Sequence, residues 1–353
     1  MSVKVHGLCK TTIMNVLAVD TGYSATKIYS ETKSGRKTLI FPSVIGPAEF
    51  GEDFLGTMQD NFIAELSLYP GKIRNFGETA IRLNRGGEVS ADRDMFTKHY
   101  NPALTIAGIA RFMTEKEVPA LDVLVVGLPV NFFASQKELL IEKLKGEHVV
   151  KLYKINGSIA HEVKFNLKDI LVLPQGYGSY LSYVLDRDGH KIADRIVPTA
   201  VIDGGEKTID IVAADGRYIH TVSKSIPSSL DAVYHDLQRE IDAKYDDYLE
   251  RSTIEQYIRS KTPYVTPLGE AVDLEEMRKQ VLEKHMPEII NRIQMTVRSM
   301  RPQKVLVAGG SGDMLFEGIK AVFPSAEKVE SMIFSNAVGY FRYGLLRQTN
   351  EDA

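Results

Sequence analysis

The sequence predicts an α/β protein of two lobes around a cleft, and three observations carry that expectation. Asp-x-Gly occurs twice, each time at the end of a short apolar strand: Val16-Leu17-Ala18-Val19-Asp20-Thr21-Gly22, and Ala200-Val201-Ile202-Asp203-Gly204-Gly205. A third apolar strand, Val305 to Ala308, ends in Gly309-Gly310-Ser311-Gly312. Strands alternate with helical patterns in two similarly built halves, which implies two sheets.

The residue types in these turns suit phosphate. Glycine lets the backbone approach an anion closely, and successive N-H groups in such a turn form an anion-binding concavity. An aspartate beside it would repel bare phosphate, so it makes sense through a hydrated Mg2+, which keeps several waters and takes one or two carboxylates. Lys27 adds a point charge for the phosphates. The two copies align at Asp20 with Asp203 and at Gly22 with Gly205, and both resume a strand-like run afterwards (Thr26, Ile28; Thr208, Ile209, Ile211, Val212). Strand-turn-strand excludes a Walker loop, where Gly-Lys-Ser/Thr opens a helix. A Rossmann glycine fingerprint is also missing after the first strand.

The other elements follow in order. Met1 to Ile13, with the single cysteine Cys9, lacks the apolar core of a signal peptide and is expected to be a leader or tag. Lys37 to Ile45 reads as a strand interrupted at Phe41-Pro42-Ser43, and Gly71 to Ala80 as a hairpin leading into a polar loop at Asn84 to Arg93. Pro102 to Thr114 has helical spacing, and Leu121 to Val126 is an apolar run expected to be a buried strand. Ser135, with Glu138 three residues on, suggests the N-cap of a helix to Lys145. Lys151 to Val172 alternates like strands, Leu173-Pro174-Gln175-Gly176 stops the last of them, and a helix follows from Tyr177 to Leu185. After a charged connector, Asp186 to Pro198, the second lobe starts at Thr199. Helices are expected at Ser228 to Tyr245, Leu274 to Arg301, from near Asp313, and at Ser335 to Leu346, where Ala337 and Gly339 suit close helix contact.

Composition sets outer bounds. A chain of 353 residues is long enough for two domains, and a formal net charge of -3 gives no sign of a bare nucleic-acid-binding surface. One cysteine excludes an internal disulfide framework and suits a reducing cytoplasm. No apolar run approaches the ~20 residues of a membrane span. No histidine stands at metal-ligand spacing from a Cys or a second His.

In order, Asp20-x-Gly22 with Lys27, Pro174-Gln175 before a small-residue helix, Asp203-x-Gly205 with Thr208 and Asp210, Gly309-Gly310, and Ala337-x-Gly339 resemble the five-part pattern of the actin, heat-shock ATPase and sugar-kinase superfamily. In its terms these are phosphate one, connect one, phosphate two, adenosine and connect two. The resemblance covers nearly the whole chain from Met14. It implies a two-lobed actin-like ATPase fold, with domain I over 14–195 and domain II over 196–353, the C-terminal helix returning to domain I. Phe41-Pro42-Ser43, Gly71-Lys72-Ile73 and Asn75 to Ala80 further resemble the ParM-type plasmid-segregation actins and their archaeal relatives. The second hairpin departs from the pattern by placing Glu206, then Lys207, after Gly205.

The resemblance implies a polymerising ATP or GTP hydrolase whose filaments push plasmid copies apart in the cytoplasm. The implied partners are the chain itself and a small DNA-binding adaptor at a plasmid centromere, with no direct nucleic-acid or membrane binding. The catalytic residues are then Gln175, which orients the attacking water unless it merely caps the following helix, and Asp203. Nucleotide contacts fall to Asp20, Thr21, Gly22, Tyr23, Ser24 and Lys27; to Gly204, Gly205 and Glu206; and to Gly309, Gly310 and Ser311, unless these last three form only a strand-helix turn. Asp20 and Asp203 hold Mg2+ through water. Thr208 and Asp210 either support the hairpin or touch ligand.

The alternative is a small-molecule phosphotransferase of the same superfamily. Gln175 weighs against it, since taking a hydroxyl proton calls for a carboxylate or histidine. A chaperone ATPase is a third reading, disfavoured because no peptide-binding segment follows connect two.

Overall fold

Two five-stranded sheets frame the molecule, and their strand orders are the same. In space the first runs Asp169–Pro174, Val123–Leu128, Val16–Thr21, Ala25–Thr32, Gly35–Pro42. The second runs Ala326–Lys328, Lys304–Ala308, Thr199–Gly204, Thr208–Ala214, Lys224–Pro227. Each therefore sets two parallel neighbours on one side of its central strand and an antiparallel hairpin on the other. The central strands are fully buried, as near-continuous Val, Leu, Ile and Ala runs require when both faces of a sheet are covered. The structure, a computed structural model, describes residues 15–32, 35–51, 61–83, 94, 96–118, 120–228 and 230–351. The leader with Cys9, Met14 and the loop at 84–93 lie outside the described residues.

Two further sheets among the described residues correct the expectation of two. An antiparallel sheet in the order Ile45–Pro47, Ile73–Phe76, Ile63–Leu66, Gly146–Tyr153, Ile159–Leu167 extends the first lobe, and Tyr264–Val265 pairs with Ala271–Val272 in the second. The alternation of 151–172 belongs partly to this extra sheet and partly, from Asp169, to the main one. Its partners Ile63–Leu66 and Ile73–Phe76 are too short to show a period. The hairpin expected at 71–80 is also revised. Its second strand ends at Phe76, and Gly77–Leu83 is a helix.

Helix bounds follow the backbone more than the expected caps. The helix assigned to Ser135 onward begins at Val130, with Pro129 before it and Phe133 N bonding Pro129 O at 3.0 Å. Ser135 is therefore an interior residue whose hydroxyl donates to Phe132 O at 3.3 Å, and it caps nothing. Leu274–Met300 has a genuine cap, with Asp273 accepting from the backbone of Glu275 and Glu276.

A core fills each lobe, and a third apolar cluster joins them. Val16, Ala18, Val123 and Val125 of the first sheet and Val201, Val212, Leu306 and Ala308 of the second belong to this joint cluster. The helices Tyr177–Val184 and Ser335–Glu351 supply most of its remainder, including the wholly buried Tyr180 and Tyr340. A Cβ at Gly339 would stand 1.8 Å from Gly178 O, so the expected close helix contact is realised through glycine on both sides. Ser335–Glu351 also packs on the first sheet, with the Phe341 ring edge-on to Tyr29 at 5.4 Å. No described helix is long and apolar enough to cross a membrane.

Candidate functional site

Hairpin geometry places the two expected turns at the ends of their sheets. Asp20 pairs across its hairpin with Lys27, and Asp203 across its own with Asp210. Three residues separate the strands in each case, and the backbone closes the same way: Gly22 N to Ala25 O at 3.1 Å, Gly205 N to Thr208 O at 2.9 Å. The third turn docks on the second hairpin, with Ser311 N donating to Gly204 O at 2.8 Å and its hydroxyl to Gly205 O at 3.3 Å. Gly309 makes this possible: a Cβ there would lie 2.3 Å from Asp203 Oδ1, and its φ of +85° favours glycine.

A cleft of about 790 Å3 between the lobes collects these elements, within the range of small-molecule sites. Asp20, Gly22, Tyr23, Ser24 and Lys27 line it from the first hairpin, Asp203 to Glu206 from the second, Gly309 to Ser311 from the third turn, and Gln175 from the connecting strand end. Thr21 departs from the expected set. It does not line the cleft; it is buried, and its hydroxyl bonds Thr105 Oγ1 at 3.1 Å.

The hydrogen bonds fix the orientation of Gln175. Its Nε2 donates to Asp20 Oδ1 at 3.0 Å and to the carbonyl of Thr21 at 3.3 Å. Both partners are acceptors, so the amide must present nitrogen to them, which leaves its Oε1 as the atom able to accept from water. Gln175 caps no helix through its side chain: Gly176 occupies the N-cap position before Tyr177–Val184, and no side-chain cap bond forms there.

The two aspartates differ in surroundings. Asp20 Oδ2 lies 3.2 Å from Lys27 Nζ. Asp203 Oδ2 accepts from Asn336 Nδ2 at 2.7 Å. Burial, and then the Asp20 carboxylate, push Asp203 up to about 6 against the opposing Asn336 bond and Lys27 charge. Glu206 is pushed up to about 7 by burial and the neighbouring Glu255, while Arg251 and Lys207 pull it down. Arg251 bonds Glu206, donates to Glu255 at 2.6 Å and stands over the Tyr234 ring at 4.4 Å.

The donor set fits a hydrated Mg2+ and a polyphosphate. Two carboxylates face one cleft from opposite lobes, each with oxygens already engaged by neighbours, which suits contact through water. Glycine turns and Lys27 supply the anion cradle.

Several cleft residues escape sequence reasoning. Asn336 bridges Asp203 to the backbone of Gly176 and Ser179, at 2.9 and 3.1 Å, and so ties both lobes at the cleft floor. It sits next to the Ala337-x-Gly339 pattern, the one signal that pointed near it. Arg251, Glu255 and Arg278 also line the cleft, from helices far along the chain. Glu78 lines it from a segment quoted only for its resemblance.

The two lobes each match a family model. Residues 18–178 match the actin-like protein N-terminal domain, and residues 201–321 match the C-terminal domain of the archaeal actin homologue that is MreB-like. A search of curated proteins finds no match. Among solved structures, the archaeal actin homolog Ta0583 superposes with a TM-score of 0.73 at 21% identity, covering 95% of this chain and 99% of its own. ParM in a 15-stranded filament from Clostridium botulinum gives 0.72 at 21% identity, over 94% of this chain and 99% of its own. Bacillus thuringiensis ParM with ATP gives 0.69 at 15% identity, over 96% and 100%. The chain is actin-like in both lobes, with the two-lobed fold that ParM and the archaeal homologue share.

Proposed function

We propose that this actin-like chain clamps a Mg2+-bound purine nucleoside triphosphate, ATP or GTP, between its lobes, hydrolyses it slowly and assembles into filaments. The observation that carries the reading is the shared cleft: two matched Asp-x-Gly hairpins and a third glycine turn line it beside an oriented Gln175. Bound Mg2+ would neutralise charge on the phosphates. Asp20 and Asp203 would hold it through water, and Gly22, Gly205 and the third turn would bind the phosphates by their amides. Gln175 accepts a hydrogen bond from the attacking water through Oε1 but is a poor base, so it positions rather than deprotonates. Slow turnover suits a filament timer.

Lobe closure on nucleotide gives one shape that stacks head to tail, and a heterologous contact that does not close a ring propagates as a filament. The solved ParM filament supports self-assembly as the use of this fold. The filaments would act in the cytoplasm, moving plasmid DNA through a small DNA-binding adaptor.

Right-angle light scattering tests the reading. Micromolar protein should show a lag and a rise after Mg-ATP or Mg-GTP, then a fall as nucleotide is consumed. Gln175→Ala should keep the rise and delay the fall. The second reading, a small-molecule phosphotransferase, gains one observation, the Glu78 carboxylate that lines the cleft as a base would. A protein that stays monomeric with both nucleotides and a non-hydrolysable analogue, yet phosphorylates a sugar or acid, would replace the first reading with the second.

A further inference from the structure

The wholly buried Tyr340 carries a polar group that the reading above leaves unused. Its hydroxyl makes no hydrogen bond to any described residue. An unpaired buried hydroxyl costs free energy that a phenylalanine would not incur, so the group calls for a partner in another state of the molecule. Two glycines make room for the ring. A Cβ at Gly178 would stand 2.5 Å from its Cε1, and one at Gly127 would stand 2.3 Å from the hydroxyl oxygen itself. The hydroxyl therefore fills the side-chain position that Gly127 lacks. Gly127 comes one step after Val126, which pairs with Val19, so it stands beside Asp20 on the neighbouring parallel strand. In-register neighbours point to the same face about 4.8 Å apart. This face looks toward the second lobe. Burial, and then the carboxylates of Asp20, Asp203 and Asp210, push the phenol well above its ordinary value, so it keeps its proton to donate.

Asp20 has the complementary need. Gln175 holds one of its oxygens at 3.0 Å, and Lys27 holds the other at 3.2 Å. When Lys27 turns to phosphate, that second oxygen loses its donor. We propose that Tyr340 is a positioning residue whose hydroxyl takes over the Asp20 oxygen as nucleotide draws Lys27 away, and so keeps the carboxylate aimed at the hydrated Mg2+. A neutral donor orients the carboxylate without cancelling the charge that holds the cation. The inference rests on the nucleotide reading of the cleft.

The test compares the full chain with its Tyr340→Phe variant in two measurements. In urea unfolding without nucleotide, the variant should be at least as stable as the parent chain, because it loses only an unpaired hydroxyl. In displacement of a fluorescent nucleotide, its affinity for Mg-ATP or Mg-GTP should fall by about 3- to 10-fold, while its affinity in EDTA matches the parent's. A less stable variant overturns the proposal, since the hydroxyl would then act in the nucleotide-free fold. An equal loss with and without Mg2+ overturns it too, and so does no loss at all. A parent chain that binds neither nucleotide overturns the proposal together with the nucleotide reading.

Discussion

The hairpin that ends at Asp20 and the one that ends at Asp203 share length, register and closing backbone bond, yet they stand on different charge balances. The first sets a lysine against its aspartate; the second sets another carboxylate there. Asp20 is consequently bonded to Lys27 and Gln175, whereas Asp203 leans on the neutral Asn336 and is pushed up to about 6. Backbone geometry and electrostatics are therefore separable in this fold. The same turn can present a neutralised carboxylate or a costly one. The costly one sits on the lobe whose third turn and Asn336 surround it, which points to a place for positive charge.

The comparison breaks most visibly in turnover. Asp203→Ala and Gln175→Ala should each slow phosphate release by about 10- to 1000-fold, the range for losing one transition-state contact. Nucleotide binding should largely survive in the Gln175 variant. Lost binding there, or an unchanged rate, would show that Gln175 does not orient water.

Stability should sharpen the contrast by its sign. A raised Asp203 favours the folded state only where it is protonated, so its contribution is present below about pH 4 and lost as the pH rises to about 6. The asparagine variant lacks this term. Above pH 6, Asp203→Asn should be more stable than the parent chain by up to about 3 kcal/mol, with the gap opening between pH 4 and 6. Asp20→Asn should instead destabilise by about 1–3 kcal/mol, since it strands the Lys27 ammonium. Urea melts across pH that shift both variants in the same direction would remove the asymmetry.

The smallest effect separates the turns sterically. A Cβ at Gly205 would stand 2.7 Å from Thr208 O, against 3.2 Å from Ala25 O for Gly22. Gly205→Ala should cost about 1–3 kcal/mol in urea unfolding, and Gly22→Ala less than about 1 kcal/mol. Equal costs would mean the second turn relaxes as easily as the first.

The sequence made the main frame and most of the cleft legible because those features are local. Apolar runs ending in Asp-x-Gly announce a strand and its turn within about ten residues, and the spacing of the copies announces the lobes. The small sheet was hidden because its strands, such as Ile63–Leu66, are too short to show a period and pair with segments far along the chain. Asn336 and the Arg251–Glu255 pair reach the cleft only through tertiary packing. The start of the helix at Val130 is hard to see in the sequence because Pro129 opens it, while Ser135 offers a more familiar cap. Thr21 stands between Asp20 and Gly22 in the sequence, yet strand alternation turns its side chain to Thr105.

Asp20 and Asp203, one from each lobe, are proposed to hold a hydrated Mg2+ against the phosphates of a bound nucleotide. Isothermal calorimetry of Mg-ATP and Mg-GTP, with and without EDTA, tests it most directly on the parent chain and on Asp20→Ala and Asp203→Ala. Binding should depend on Mg2+ in the parent chain and lose that dependence in both variants. Mg-nucleotide affinity that is the same in all three proteins would contradict it.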